Sequence, residues 1–126
     1  MIKIGLLGFG TVNGSFYDLV EENKDKLERI CGEEIEFTKI LVRDIDKYDR
    51  CKDILTSNPN DIFQNEDINL IVEATGEVDE LAKPIEEALK KGINVISANK
   101  ALISKHLETL LKTAEDSKAY LKFEGA

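Results

Sequence analysis

Three features of the sequence predict an α/β fold with a doubly wound, mostly parallel sheet in a single domain. Short apolar runs end at glycine or at polar residues. Longer stretches repeat their apolar residues at helical spacing. The two kinds of segment alternate from end to end, with no long linker, repeat or low-complexity tract between them. Strands separated by helical stretches of about ten or more residues pair in parallel, because the chain must cross back over the sheet before it pairs again.

The elements follow in order. Residues 2–7 are a short apolar run ending at glycine, which suits a strand buried on both faces. From Thr11 the period changes: Val12, Phe16, Leu19, Val20, Leu27 and Ile30 recur at helical intervals, and Gly32 stops the helix. Residues 35–42 read as a second strand, alternating at first and then continuous. Residues 44–67 are polar and broken by Asn58-Pro59-Asn60, which predicts a short helix followed by loop. Residues 69–74 are the third strand. Val78, Leu81, Ile85, Ala88 and Leu89 mark a helix closed by Gly92, with Pro84 expected to kink it or delay its start. Residues 93–96 form the fourth strand. A helix follows over 101–114, with Leu107, Leu110, Leu111 and Ala114 on one stripe, and residues 119–123 are the fifth strand.

The bulk composition narrows the function classes. At 126 residues the chain is one domain in size, and 42% hydrophobic with 33% charged residues is ordinary for a globular protein. The net charge of −8, from 25 acids against 17 bases, argues against a nucleic-acid binder, whose footprint is basic. It leaves a nucleotide cofactor open, because helix termini and backbone N–H groups bind anions locally. Cys31 and Cys51 match no metal spacing and no disulfide framework, which suits a reducing cytoplasm. The N-terminus lacks the features of a signal peptide, and no apolar run approaches the roughly eighteen residues that span a bilayer. The expectation is a cytoplasmic protein with no membrane and no nucleic-acid partner.

Ligands of open parallel sheets bind outside the carboxyl ends of the strands. The unusual residues collect at that edge: Gly8-Phe9-Gly10-Thr11-Val12 after the first strand, Arg43-Asp44 after the second, Ala74-Thr75-Gly76 after the third, Ser97-Ala98-Asn99-Lys100 after the fourth and Glu124-Gly125 after the fifth. Gly8 permits a tight turn, Gly10 lets the backbone approach a pyrophosphate, and the helix beginning near Thr11 points free N–H groups at that anion. This context of strand, glycine turn and helix predicts a Rossmann-type dinucleotide-binding fold. The third position of the G-x-G-x-x-G pattern is Asn13, with Gly14 one residue late. Asn13-Gly14-Ser15 is formally a glycosylation sequon, which the absence of a secretory signal sets aside.

Arg43 closes the second strand, where a bidentate arginine suits the 2′-phosphate of NADP. Asp44 beside it keeps the NAD role open, as does the alternative of a plain surface Arg–Asp pair. Lys100 at the ligand edge suits either a cofactor ribose or a substrate carbonyl, or is a solvated loop lysine. Thr75 and Gly76 would approach the nicotinamide half and Ser97 its carboxamide, unless they are simple turn residues. His106 is expected on the surface of a helix away from the glycine turn.

In this order the landmarks resemble the N-terminal NAD(P)-binding domain of homoserine dehydrogenase. The resemblance spans essentially the whole chain, and its sharpest element is Ser97-Ala98-Asn99-Lys100-Ala101-Leu102 alongside Glu73-Ala74-Thr75-Gly76. It implies NADPH- or NADH-dependent reduction of L-aspartate 4-semialdehyde to L-homoserine, on the route to threonine, methionine and isoleucine, with NADP the favoured cofactor. It assigns phosphate and ribose contacts to Gly8, Phe9, Gly10, Thr11 and Val12 and the 2′-phosphate to Arg43. It puts the nicotinamide end at Ala74, Thr75, Gly76, Ser97 and Ala98, and makes Lys100 the active-site lysine of this domain. Glu124 matches the acid that opens the family's sodium-binding loop. Two departures stand out. Asn13 replaces a glycine that packs the first helix closely, and the family continues into a substrate and dimerisation domain. The resemblance therefore implies the cofactor half of a homodimeric enzyme, inactive alone and with an incomplete sodium site. A stand-alone nucleotide-sensing module is the rival reading, and another semialdehyde-handling dehydrogenase a third.

Overall fold

The computed structural model describes residues 1–77 and 79–123. Its strands form one six-stranded sheet in the order β3-β2-β1-β4-β5-β6, with every adjacent pair parallel. The strands are β1 (Ile2–Leu7), β2 (Ile35–Leu41), β3 (Leu55–Thr56), β4 (Leu70–Glu73), β5 (Asn94–Ser97) and β6 (Leu121–Phe123). The helices are α1 (Thr11–Glu22), α2 (Lys24–Cys31), α3 (Asn60–Phe63), α4 (Asp79–Lys90) and α5 (Lys100–Ser117), with a 3₁₀ turn at Ile45–Lys47.

Alternation along the central strands makes the sheet doubly wound. Ile4 and Leu6 of β1 enter one core with Val20, Phe37 and Ile40, while Leu7 enters the other with Ile71, Ile85, Leu89 and Leu102. Ile71 and Val72 of β4 divide in the same way. Each aliphatic side chain buried to this degree stabilises the fold by about 1.5–3 kcal/mol relative to exposure. The two cores thus cover β1 and β4 from both faces up to Leu7 and Val72, just before the loops that carry the site.

Three expectations are corrected. The helix expected to run from Thr11 to Gly32 is two helices, joined at Asn23, whose φ of −116° and ψ of 19° interrupt the helical path. Only half of the stripe expected to face the core does: Phe16, Val20 and Leu27 pack there, while Val12, Leu19 and Ile30 are 59%, 61% and 71% exposed. The buried face of α1 runs through Asn13 and Val20, with Phe16 and Tyr17 packed against the core, because Asn13 fixes the rotation of the helix. The polar stretch 44–67 supplies a sixth strand, β3, which pairs with β2 through only Ile40↔Leu55 and Leu41↔Thr56. Two residues are too few for any period to declare a strand.

The later helices stand close to their predicted positions. Pro84 lies inside α4, not at its start. α5 is kinked at His106, where φ is −119° and ψ 15°. This histidine was expected on the surface. Its side chain is only 28% exposed and sits 3.8 Å from Asp79 at the start of α4. The hydrogen bond from Lys105 (2.7 Å) holds the Asp79 carboxyl below its usual range, and His106 adds to the effect.

Candidate functional site

The turn after β1 is built by Gly8, whose N–H bonds Leu41 O (2.9 Å) and whose φ of +90° is left-handed. A methyl group here would lie 3.1 Å from Thr75 Cγ2 and 3.2 Å from the Ala74 carbonyl oxygen, so side chains are excluded both by conformation and by space. Gly10 precedes α1 with no side-chain cap and open space where a Cβ would be. The first backbone bond of α1 runs from Gly14 N to Gly10 O (2.8 Å), and the first turn contains no acid. The N–H groups of Thr11, Val12 and Asn13 therefore lie ahead of the helical ladder, where an anion is favoured.

Asn13 supplies the close packing that glycine would have allowed. It is fully buried, and its Nδ2 donates to Leu7 O (3.0 Å), Gly8 O (2.9 Å) and Val72 O (3.3 Å). The carboxamide thus ties α1 to the ends of β1 and β4 and anchors the glycine turn from beneath. Phe9 turns its ring into the core beside Tyr17 (5.7 Å between centroids) and Tyr48 (5.8 Å), leaving its backbone on the cleft. Arg50, held by Asp18 (2.6 Å), stacks over the rings of Phe9 and Tyr17. The Tyr17 hydroxyl is pushed up to about 12, mainly by its hydrogen bond with Cys51.

Across the sheet edge, Glu73 organises the next two loops. It is fully buried and accepts from Thr75 N (2.7 Å), Thr75 Oγ1 (2.8 Å), Ser97 Oγ (2.7 Å) and Asn99 Nδ2 (3.4 Å). Its own carbonyl accepts from Ala98 N (2.8 Å). Ser97 is 1% exposed, and its hydroxyl also accepts from Asn99 N (3.1 Å), so both its donor and an acceptor site are engaged inside the protein. Asn99 then caps α5 by accepting from Leu102 N (3.1 Å). Lys100, the first residue of α5, is exposed, and its side chain makes no hydrogen bond or ion pair among the described residues.

The strand ends enclose a cleft of about 640 Å³, within the range of small-molecule and cofactor sites. It brings together Gly8, Phe9, Gly10, Arg43, Ala74, Thr75 and Gly76. Thr11 and Val12 stand exposed at the start of α1, outside its lining, and Ser97, Ala98 and Lys100 lie further along the edge beyond Glu73. Asp44 is engaged as the cap of the 3₁₀ turn, accepting from Asp46 N (3.1 Å). Arg43 forms an ion pair with Glu77. The glycine cradle and uncapped helix fit a pyrophosphate, and the exposed guanidinium fits a further phosphate. A hollow of about 550 Å³ at the opposite edge, lined by Phe63, Ile68, Lys91 and Ile93 among others, is not served by the amino end of α1.

Glu124 lies outside the described residues, and among those described no group of His, Cys, Asp or Glu could hold a metal ion. Residues to which the sequence assigned no role include Glu73, which holds the loops, and Lys47, Tyr48, Glu77 and Glu80, which line the cleft. Glu73 had a visible signal, since a charged residue ending the apolar run of β4 is rarely buried without partners.

Residues 8–124 match the family model described as the NAD-binding domain of homoserine dehydrogenase. The chain belongs to this family. It is 30% identical to the homoserine dehydrogenase of Bacillus subtilis, over 99% of this chain and 30% of that protein. With the homoserine dehydrogenase of Corynebacterium glutamicum the identity is 35%, over 99% and 28%. The S. aureus homoserine dehydrogenase structure superposes with a TM-score of 0.90 at 34% identity, covering 98% of this chain and 32% of that one. A hyperthermophilic archaeal homoserine dehydrogenase in complex with NADPH, 22% identical, shares the fold with a TM-score of 0.78, over 98% and 43%. The chain thus spans about 30% of the length of the curated relatives it matches. The homoserine dehydrogenase NAD-binding domain is an oxidoreductase module of Rossmann type, and no described helix is long and apolar enough to cross a membrane.

Proposed function

We propose that residues 1–126 are the cofactor half of an NAD(P)H-dependent homoserine dehydrogenase, reducing L-aspartate 4-semialdehyde to L-homoserine, with NADPH the preferred donor. The observation that carries this reading is the Gly8 turn feeding the uncapped α1 within a cleft that also holds an arginine at the end of β2. Gly8, Gly10 and the first N–H groups of α1 would hold the pyrophosphate, and Arg43 the 2′-phosphate. Ala74, Thr75 and Gly76 would present backbone to the nicotinamide half, with Ser97 and Ala98 continuing that wall through backbone groups. When bound, the dinucleotide supplies the hydride for the aldehyde carbon. Lys100, with its ammonium free of described partners, is available to a ribose hydroxyl or to the carbonyl oxygen being reduced, where a positive charge stabilises developing negative charge. In this reading the complete enzyme is a cytoplasmic homodimer whose second domain supplies the remaining substrate contacts, and this half alone binds cofactor without turnover.

Arg43→Ala tests the cofactor assignment. Loss of a charge-assisted, bidentate contact should weaken NADPH binding by roughly 10- to 100-fold and leave NADH within about twofold. Calorimetric titration of both cofactors checks this, and equal losses for the two would remove the 2′-phosphate from Arg43.

A further inference from the structure

The Arg43–Glu77 ion pair joins the two lips of the cleft. Arg43 follows β2 and Glu77 follows β4, and these strands flank β1 on either side, so the pair reaches across the glycine turn. Both residues line the cleft, with the Arg43 side chain 81% exposed and that of Glu77 25%. Glu77 is held in place through its backbone: its N–H donates to Thr75 Oγ1 (3.0 Å), and its carbonyl accepts from Asn99 Nδ2. Both of those partners hang on Glu73. Glu77 is therefore anchored by the same network that shapes the site, with only its side chain free to turn.

A guanidinium offers its donors along two planar bidentate edges that meet at one terminal nitrogen, and Glu77 sits on that nitrogen, Nη2, of Arg43. A 2′-phosphate that binds Arg43 bidentately through Nη2 competes with Glu77 for it. We propose that Glu77 is a specificity-determining residue: an internal competitor for Arg43 that restrains the preference for a 2′-phosphorylated dinucleotide over an unphosphorylated one. This inference rests on the assignment of the 2′-phosphate to Arg43. An unphosphorylated dinucleotide has no use for the released guanidinium, so the competition falls on one cofactor alone.

The test is calorimetric titration of NADPH and NADH into the parent chain, Glu77→Gln, Arg43→Ala and the double variant. Glu77→Gln should tighten NADPH by about two- to fivefold, the scale of an exposed ion pair, with NADH unchanged. In the Arg43→Ala background the same change should have no effect on either cofactor, because the competitor has lost its target. An unchanged NADPH to NADH ratio in Glu77→Gln, with Arg43→Ala still selective against NADPH, overturns the competitor role and leaves the phosphate assignment standing. NADPH tightening that persists without Arg43 overturns it too, since simple repulsion between Glu77 and the phosphate would then be the cause. Equal losses of both cofactors in Arg43→Ala bring down the phosphate assignment and this inference together.

Discussion

Glu73→Leu is expected to destabilise the domain by about 3–5 kcal/mol, lowering the melting temperature on the order of 10 °C or more. The reason is the set of donors left behind. Thr75 N, Thr75 Oγ1, Ser97 Oγ and Asn99 Nδ2 all converge on this carboxyl at a position with no solvent exposure. A buried donor without a partner costs about 1–3 kcal/mol, and leucine satisfies none of them. A loss of this size is a large part of the roughly 5–15 kcal/mol that holds a typical domain together. Glu73→Gln preserves shape and one acceptor oxygen, so it should cost substantially less. Urea unfolding followed by circular dichroism checks both, and similar stability for the leucine variant and the parent would contradict the network described for Glu73.

Gly8→Ala should cost about 2–4 kcal/mol, combining the strain of a non-glycine residue at positive φ with overpacking against Thr75 and the Ala74 carbonyl. The neighbour it strikes is the loop that Glu73 holds, so relief of the clash displaces Thr75 and opens the cleft wall. Gly14→Ala is the contrasting case. Gly14 lies within α1 with nothing within 4 Å of an added Cβ, so this change should stabilise the domain by about 0.5–1 kcal/mol through the better helix propensity of alanine. Melting curves of the two variants should therefore move in opposite directions. A tolerated alanine at Gly8 would show that the turn does not need its left-handed conformation.

How far these features were legible from sequence depends on whether their causes are local. β1 was predicted to the residue, because an apolar run and the glycine that ends it lie together in the chain. The site edge was legible for the same reason, since each strand end carries its own unusual residues. β3 was hidden, because its two residues become a strand only by pairing with β2. The rotation of α1 was also hidden. Val12, Leu19 and Ile30 satisfied the helical period, but the buried face is set by Asn13 reaching three carbonyls at the ends of β1 and β4. Asn13 at a glycine position stood out only as a departure from the pattern, although in the fold it ties α1 to the ends of β1 and β4. Glu73 signalled itself as a charge in an apolar strand, yet its partners come from two loops that only the sheet brings together. The Arg43–Glu77 pair is likewise a product of strand order, joining residues 34 apart in sequence.

The most direct test of the central claim, that the carboxyl edge over the Gly8 turn holds a nicotinamide dinucleotide, is an NMR titration of the isotopically labelled chain with NADPH. The amide resonances of residues 8–13, 43–44 and 74–77 should shift together and saturably, because they line one cleft or head one helix. Shifts confined to the hollow around Phe63, Ile68, Lys91 and Ile93, or no shifts at millimolar NADPH, would contradict it.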